Sequence, residues 1–402
     1  MKILQINKFY YLKGGAERHL FELSKLLEAN GHTVIPFSMQ DQQNLSTPYA
    51  KYFAKSVDFD TFSFTALFKF FHNWDAVRQL KRLLHDERPD IAHLHNVAHQ
   101  LTPSIIRVLK KQGIPVVMTL HDYQPICPSY QLYTKGKYCE RCKGGKYYQC
   151  ALNRCVKNST AKSLMSMLEL YFHRRIFKNY DLVDRFVAPS RFMAEVSIAF
   201  GLPKEKMSVI YNFLGDDQRA ELEAQSNISA GEYLLYFGRL TEEKGVGDLL
   251  KAVAGSATSL KIVGTGTERE SLEAEAKALE LGNRAEFLGY QEGSDLVRLV
   301  KGAKAVVLPA RWPENMPYSL IEALAAGRPL LVSRIGGLTE LVAPGQNGFT
   351  FAPGNVDELK EAIQKLDRAD FGALCEASKE QSKSFGSGQF YSKISEIYDE
   401  LV

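Results

Sequence analysis

The sequence lacks any apolar run near the ~20 residues that a membrane-spanning helix requires. It opens on KILQINKFY, with polar residues where a signal peptide needs an apolar core. That stretch reads as a strand, and the expected location is the cytoplasm, extending to the inner face of a membrane. Excess charge is missing too. A net charge of +4 over 402 residues is too weak to argue for a nucleic-acid partner. Cysteine is scarce outside one segment: Cys127, Cys139, Cys142, Cys150 and Cys155 stand together, and Cys375 stands alone. No paired-aspartate metal motif accompanies the anion-binding loop described below, so no cofactor is expected to be required for chemistry.

What remains is ordinary globular composition, 45% hydrophobic and 24% charged, in a chain long enough for two or three domains. Residues 2–10 read as a strand, Lys13-Gly14-Gly15 as a turn, residues 16–28 as a helix with Leu20, Leu23, Leu26 and Leu27 on its apolar face, and residues 33–37 as a second strand. Short apolar strands follow at 91–94, 116–120 and 186–188, so alternating α/β and a parallel sheet are expected. His121 falls just after a strand, where open α/β sheets present ligand groups. His93-x-His95 has the look of a metal pair, but with no clear carboxylate partner packing or acceptor contacts are the better reading for His93, His95 and His99. Residues 212–231 turn polar and acidic and read as a linker. A second α/β series then starts at Tyr233.

Residues 308–333, LPARWPENMPYSLIEALAAGRPLLVS, read as a strand end, a proline-punctuated loop, a helix and another strand. Pro317 suits the first helical position, and Gly327 with Pro329 stops the helix. The loop at Asn315, Met316, Pro317 and Tyr318 then faces the unsatisfied N–H groups of a helix start, a ready anion site. Glu314 and Glu322 bracket it, the second roughly 7–8 Å along the axis. Carboxylates accept from hydroxyls, so sugar, diphosphate and ribose would fit in that order. Arg239 and Lys244, in FGRLTEEKG, converge on a strand-to-helix loop in a way that suits a diphosphate.

Glu, seven residues, Glu on such a loop resembles the donor-site signature of the family-4 retaining glycosyltransferases. FGRLTEEKG resembles that family's phosphate-binding motif, and Lys13-Gly14-Gly15-Ala16-Glu17 its first loop. The usual Gly-Phe-Gly after the first Glu is replaced by Asn315-Met316-Pro317. The resemblance implies a GT-B fold, two Rossmann-like domains facing across a cleft. An acceptor-side domain would span residues 1–211, with a Cys-rich insertion at 127–155, and a donor-binding domain residues 212–385. A C-terminal helix, 386–402, would cross back to the first domain. It implies roles residue by residue. Glu314 touches the donor sugar, Glu322 holds the ribose, His121 lies near the reacting centre, and Arg239 and Lys244 take the diphosphate. Gly14, Gly15, Asn212, Gly264 and Tyr290 lie on the donor side. The implied reaction moves a sugar from a nucleotide-diphosphate sugar to a hydroxyl of a lipid-linked or soluble acceptor, retaining and metal-independent. A phosphorylase or a nucleotide-sugar epimerase of similar fold, and a non-catalytic carbohydrate-binding protein, stay open.

Two segments stand outside that pattern. Residues 59–74, FDTFSFTALFKFFHNW, read as buried helix or as a helix lying in a headgroup layer. With Lys135, Lys137, Arg141, Lys143 and Lys146 they motivate peripheral membrane contact. The cysteines, C-x11-C-x2-C-x7-C-x4-C, fit a structural zinc held by Cys139, Cys142, Cys150 and Cys155, with Cys127 as a spare and with free thiols or disulfides as alternatives.

Overall fold

The computed structural model describes residues 1–57, 64–224 and 231–402, with the backbone alone for residues 64–67. The first part of the aromatic segment, residues 59–63, lies outside the described residues. The chain divides into two compact units. The first comprises Met1–Thr134, Cys139–Tyr211 and Phe390–Val402, and the second Lys135–Tyr138 and Asn212–Gln389. Both are Rossmann-like, with helices around a parallel sheet, the architecture of GT-B enzymes.

The sheet of the first unit runs Thr33–Phe37, Lys2–Ile6, Ile91–Leu94, Val116–Thr119, Arg185–Ala188, Met207–Val209. Every pairing in it is parallel. Its inner strands are buried along their length, as parallel strands covered on both faces must be. Chain order reverses between Lys2–Ile6 and Ile91–Leu94, and ligands bind outside the carboxyl ends of strands at such a switch point. Two loops leave from there: the one carrying Gly14 and Gly15, and the one that begins at His95.

The second sheet runs Ala285–Gly289, Ser259–Val263, Tyr233–Phe237, Ala303–Leu308, Leu330–Ser333, Gly348–Phe351, again wholly parallel. Its switch point lies between Tyr233–Phe237 and Ala303–Leu308. The first of these strands feeds the loop of Arg239 and Lys244, and the second feeds the loop of Glu314. The topology therefore brings together two motifs that lie 70 residues apart in the chain.

The helix Tyr318–Ala325 follows the Glu314 loop and is buried on nearly every side, which its LIEALA sequence permits. Pro317 is its cap, in extended conformation, and not its first helical residue. The end matches the expectation: Gly327 adopts φ +68, its N–H donates to the carbonyl of Leu324 (2.9 Å), and Arg328 N–H donates to Ala323 (2.8 Å). These two bonds make a Schellman closure.

Two further expectations need correction. Residues 212–231 are not a plain linker, because Asp216–Glu223 is a helix that packs on Tyr318–Ala325. The first strand stops at Ile6, four residues early, where the chain leaves the sheet for the loop. The Cys-rich insertion belongs to the apolar core: Leu132, Cys142, Tyr147 and Cys150 join Tyr123, Ile126, Leu170 and Tyr180 in the core of the first unit. The terminal helix is Ser387–Leu401, and its residues from Phe390 onward pack with the first unit.

Candidate active site

In the second unit, three strand ends are laced together by backbone bonds. Gly238 N–H donates to Val263 (3.0 Å), Leu240 N–H to Thr265 (2.9 Å) and Gly264 N–H to Gly289 (2.7 Å). The approach is close enough to require glycine. A Cβ on Gly264, at φ +136, would stand 1.9 Å from the Gly238 carbonyl oxygen. The buried Tyr236 hydroxyl donates to the Arg239 carbonyl (2.6 Å), which fixes the backbone while the guanidinium stays exposed. Burial first, and the nearby Glu314 second, push the Tyr236 phenol up, so it stays a neutral donor.

Lys244 forms an ion pair with Glu314, both side chains nearly buried (12% and 8% exposed). Trp312 Nε1–H donates to the same carboxylate oxygen, Oε1, at 2.7 Å, and the Lys244 ammonium lies 5.6 Å from the Trp312 ring centre. Both donors converge on Oε1, which leaves Oε2 as the oxygen positioned to accept from a ligand hydroxyl. Gly337 N–H donates to the Glu314 carbonyl (2.8 Å), and Gly336 takes φ +62 with no room for a Cβ against that same carbonyl. A second pair braces the loop: Arg311 forks onto buried Asp248 at 2.8 and 2.5 Å. Its N–H also donates to Glu243 (2.8 Å), tying the two loops together.

Glu322 is buried on its helix and accepts from Gln218 Nε2 at 2.6 Å. Asn212 is buried as well, and its Nδ2 donates to the Met316 carbonyl (2.8 Å), holding the helix entrance in place.

In the first unit, Gly14 caps the helix Gly15–Ala29 at φ −175, an extended backbone open to any residue, and a Cβ there meets nothing nearer than 3.8 Å. The fold does not need glycine at this position. Lys13 lies 3.8 Å from the Phe9 ring centre, and burial, then the charge of Lys8, pull its ammonium below the ordinary lysine range. Two cations thus stand beside the glycine loop. Buried Glu17 accepts from Asn7 Nδ2 (3.1 Å) behind it.

Next to this loop lies a chain of imidazoles. Gln5 Oε1 meets His95 Nε2 at 2.6 Å, and His95 Nδ1 meets His121 Nε2 at 2.8 Å. With Gln5 accepting, His95 carries its proton on Nε2 and accepts at Nδ1 from His121, so His121 Nδ1 is left as an acceptor. His93 is held between Thr119 Oγ1 (2.7 Å) and the Tyr398 hydroxyl (2.6 Å) of the terminal helix. His19 packs edge-on against His121 with centroids 5.1 Å apart. Burial lowers all four: His19 and His93 to about 3, His95 and His121 well below the usual value, with repulsion from neighbouring imidazoles adding to it at His93, His95 and His121. Burial thus favours the neutral form throughout the cluster.

These two sites can be set beside known proteins. A model of Glycosyltransferase Family 4 matches residues 13–218, and one of Glycosyl transferases group 1 matches residues 218–384. The chain belongs to glycosyltransferase family 4. It is 28% identical over 395 residues to glycogen synthase of Mycobacterium tuberculosis, covering 91% of this chain and 86% of that one. The fold is similar to that of Anabaena HepE in complex with UDP (TM-score 0.65, 20% identity, 100% of both chains). It is also similar to the lipopolysaccharide outer core galactosyltransferase WaaB in its apo form (TM-score 0.67, 18% identity, 100% of both chains).

Within this glycosyltransferase, Arg239, Lys244, Asn212, Gly264, Glu314, Asn315, Met316, Pro317, Tyr318 and Glu322 all belong to the second unit, and Gly14, Gly15 and His121 to the first. Tyr290 sits at the end of Ala285–Gly289, 63% exposed, with its hydroxyl donating to Glu292 at 2.9 Å. His99 Nδ1 lies 3.0 Å from a carboxylate oxygen of buried Glu169. Sequence reasoning did not find Gln5, His19, Trp312, Gln218 or the Asp248–Arg311 brace. The switch-point rule, applied to the first strand, would have pointed to Gln5 and to the HxH stretch.

Proposed function

We propose that this glycosyltransferase moves a sugar from a nucleotide-diphosphate donor to an acceptor hydroxyl with retention at the anomeric carbon. The observation that carries the reading is the Lys244–Glu314 pair beside exposed Arg239 at the switch point of the second sheet. A diphosphate arriving there gives Lys244 a second anion, and two cations stabilise the charge that develops on the leaving group. Glu314, held at Oε1 by Lys244 and Trp312, acts as acceptor for a sugar hydroxyl and not as a nucleophile. With Glu314 cast as a hydroxyl acceptor, departure and attack take place on one face of the sugar, and the leaving phosphate takes the acceptor proton. His121, neutral and with Nδ1 free to accept, orients a hydroxyl near the reacting carbon. Charge neutralisation by Arg239 and Lys244 makes the step independent of a divalent metal. HepE, similar in fold, is seen in complex with UDP, which favours a uridine donor as the first to try.

The reading also includes an acceptor presented at a membrane surface. On the insertion and the helices after it, Leu152, Leu164, Leu168, Ile176 and Phe177 are exposed, at 71%, 44%, 42%, 69% and 42%. The helix Tyr148–Asn153 packs on Thr160–Tyr171, which runs into Phe172–Ile176, so these residues are carried on adjoining elements, with Lys162, Arg175 and Lys178 among them. Apolar side chains interleaved with cations suit an anionic headgroup layer. Binding to anionic liposomes at low salt, absent with neutral ones, is the expected result, and no binding to either would favour a soluble glycan acceptor.

The test of the main reading is incubation with UDP-, GDP- and ADP-sugars, with and without acceptor, followed by mass spectrometry and NMR of the product. Acceptor-dependent transfer with the donor's anomeric configuration, in the presence of chelator, is expected. Inversion, conversion of the donor without acceptor, or activity restored only by Mg²⁺ or Mn²⁺ would each overturn a part of it.

A further inference from the structure

The cysteine segment takes no part in the chemistry above, yet its thiols are gathered in one core: Cys127, Cys142 and Cys150 are buried in it and Cys155 packs against it. Cys127, Cys142 and Cys150 are buried, and Cys139 and Cys155 are partly so. None is in a disulfide. The Cys150 thiol is hydrogen-bonded to that of Cys155, and the sulfurs of Cys127, Cys142, Cys150 and Cys155 all lie within electrostatic reach of one another. Cys139 is only partly buried and is not in that core cluster. Backbone N–H groups point at the sulfurs: those of Ser129 and Leu132 at Cys127, and that of Cys150 at Cys142.

The backbone of the same stretch is strained as well. Six of the eleven non-glycine residues at positive φ among the described residues are Tyr130, Leu132, Lys135, Arg154, Lys157 and Asn158. Each left-handed residue costs roughly 1–2 kcal/mol. That much local strain in about thirty residues persists only where something else fixes the loop.

We propose that this segment is a structural zinc site whose ligands are Cys127, Cys142, Cys150 and Cys155. Cys127 is thus a ligand and not a spare, and Cys139 stands outside. Four thiolates are the ligand set of a closed structural zinc. Binding releases the thiol protons to solvent and draws the sulfurs inward. They start apart: among the described residues, the three-residue group whose ligand atoms all lie within 4.8 Å of one another is His19, His95 and His121. Those imidazoles, with His95 and His121 bonded to each other, belong to the active site.

The experiment is elemental analysis of the full chain purified without chelator, with an X-ray absorption spectrum of the same sample. About one zinc per chain with four sulfurs at about 2.3 Å is expected. Cys127→Ser and Cys150→Ser should each lower zinc at least fivefold, while Cys139→Ser and Cys375→Ser keep it. Should the first two fail to fold, the wild-type spectrum still decides, and chelator should lower the wild-type Tm. Less than about 0.2 zinc per chain with all six thiols titratable would overturn the site. A nitrogen-dominated first shell would place the metal on the histidines and overturn it equally. Zinc lost in Cys139→Ser but kept in Cys150→Ser would overturn the ligand set.

Discussion

The two sheets present different electrostatic surfaces at their switch points. The second unit offers charge: an exposed Arg239, and Lys244 paired with Glu314 where both are nearly buried. Beside the cations of its glycine loop, Lys8 and Lys13, the first offers uncharged hydrogen-bonding groups, because burial favours the neutral form of His19, His93, His95 and His121. One topology therefore serves two tasks. A diphosphate needs permanent cations that water cannot outcompete, and a sugar or acceptor hydroxyl needs a directed acceptor whose charge does not change with pH. The contrast teaches that strand order locates a site, while burial decides which chemistry it performs.

The largest effect expected is on catalysis in the second unit. Arg239→Ala and Lys244→Ala should each lower turnover by roughly 10²–10³-fold, the scale for one preorganised charge-stabilising group. Stability should tell them apart. Lys244→Ala strands a buried carboxylate and should cost roughly 3–5 kcal/mol, whereas Arg239 is exposed and its loss should leave the Tm nearly unchanged. Chemical denaturation of both variants checks this, and equal stability would mean that Glu314 does not depend on Lys244.

In the first unit, His95→Leu should lower kcat roughly 10²-fold by letting His121 turn, the usual cost of about 1 Å of misplacement. A positioning role also predicts that His95→Gln, which keeps a hydrogen-bonding amide, recovers part of it. Unchanged kcat in His95→Leu would remove the imidazole chain from the account.

The neutrality of that chain has a pH signature. His19 and His93 have folded pKa values of about 3 against an ordinary 6.5, so between those values the unfolded chain binds more protons. Their contribution is complete above about pH 6.5 and is lost as the pH falls toward 3. At about pH 5.5 each should cost about 1.4 kcal/mol. Tm measured from pH 7.5 downward should fall, and His93→Gln should flatten the slope.

The smallest effect concerns Gly14. Since the fold has no use for glycine there, Gly14→Val should leave the Tm unchanged and raise KM for the donor several-fold. A fall in Tm with unchanged KM would return Gly14 to a purely structural role. Glu322→Gln is intermediate: it should weaken donor binding more than turnover, because the ribose is remote from the bond broken.

Much of this was legible in the sequence where one element carries the signal. The strands Ile91–Leu94 and Tyr233–Phe237, the stop at Gly327 and the loop residues Arg239, Lys244 and Glu314 all follow from local pattern. What local pattern cannot show is tertiary. Asp216–Glu223 is acidic and polar and buries only Leu222, so its helix depends on packing against Tyr318–Ala325. The edge strand Met207–Val209 is three residues long, too short for a period. His19 looks like any residue on an amphipathic helix until the sheet sets it against His121. The Lys244–Glu314 and Asp248–Arg311 pairs span 70 and 63 residues, and only the strand order brings them together.

The central claim is that the diphosphate of the donor binds between Arg239 and Lys244 at the switch point of the second sheet. Calorimetric titration of UDP, GDP and ADP into the wild type and into Arg239→Ala tests it directly, since that variant keeps the Lys244–Glu314 pair and the fold. One diphosphate should bind the wild type, and Arg239→Ala should weaken it at least tenfold, about 1.4 kcal/mol. Equal affinity in the two proteins would contradict the account.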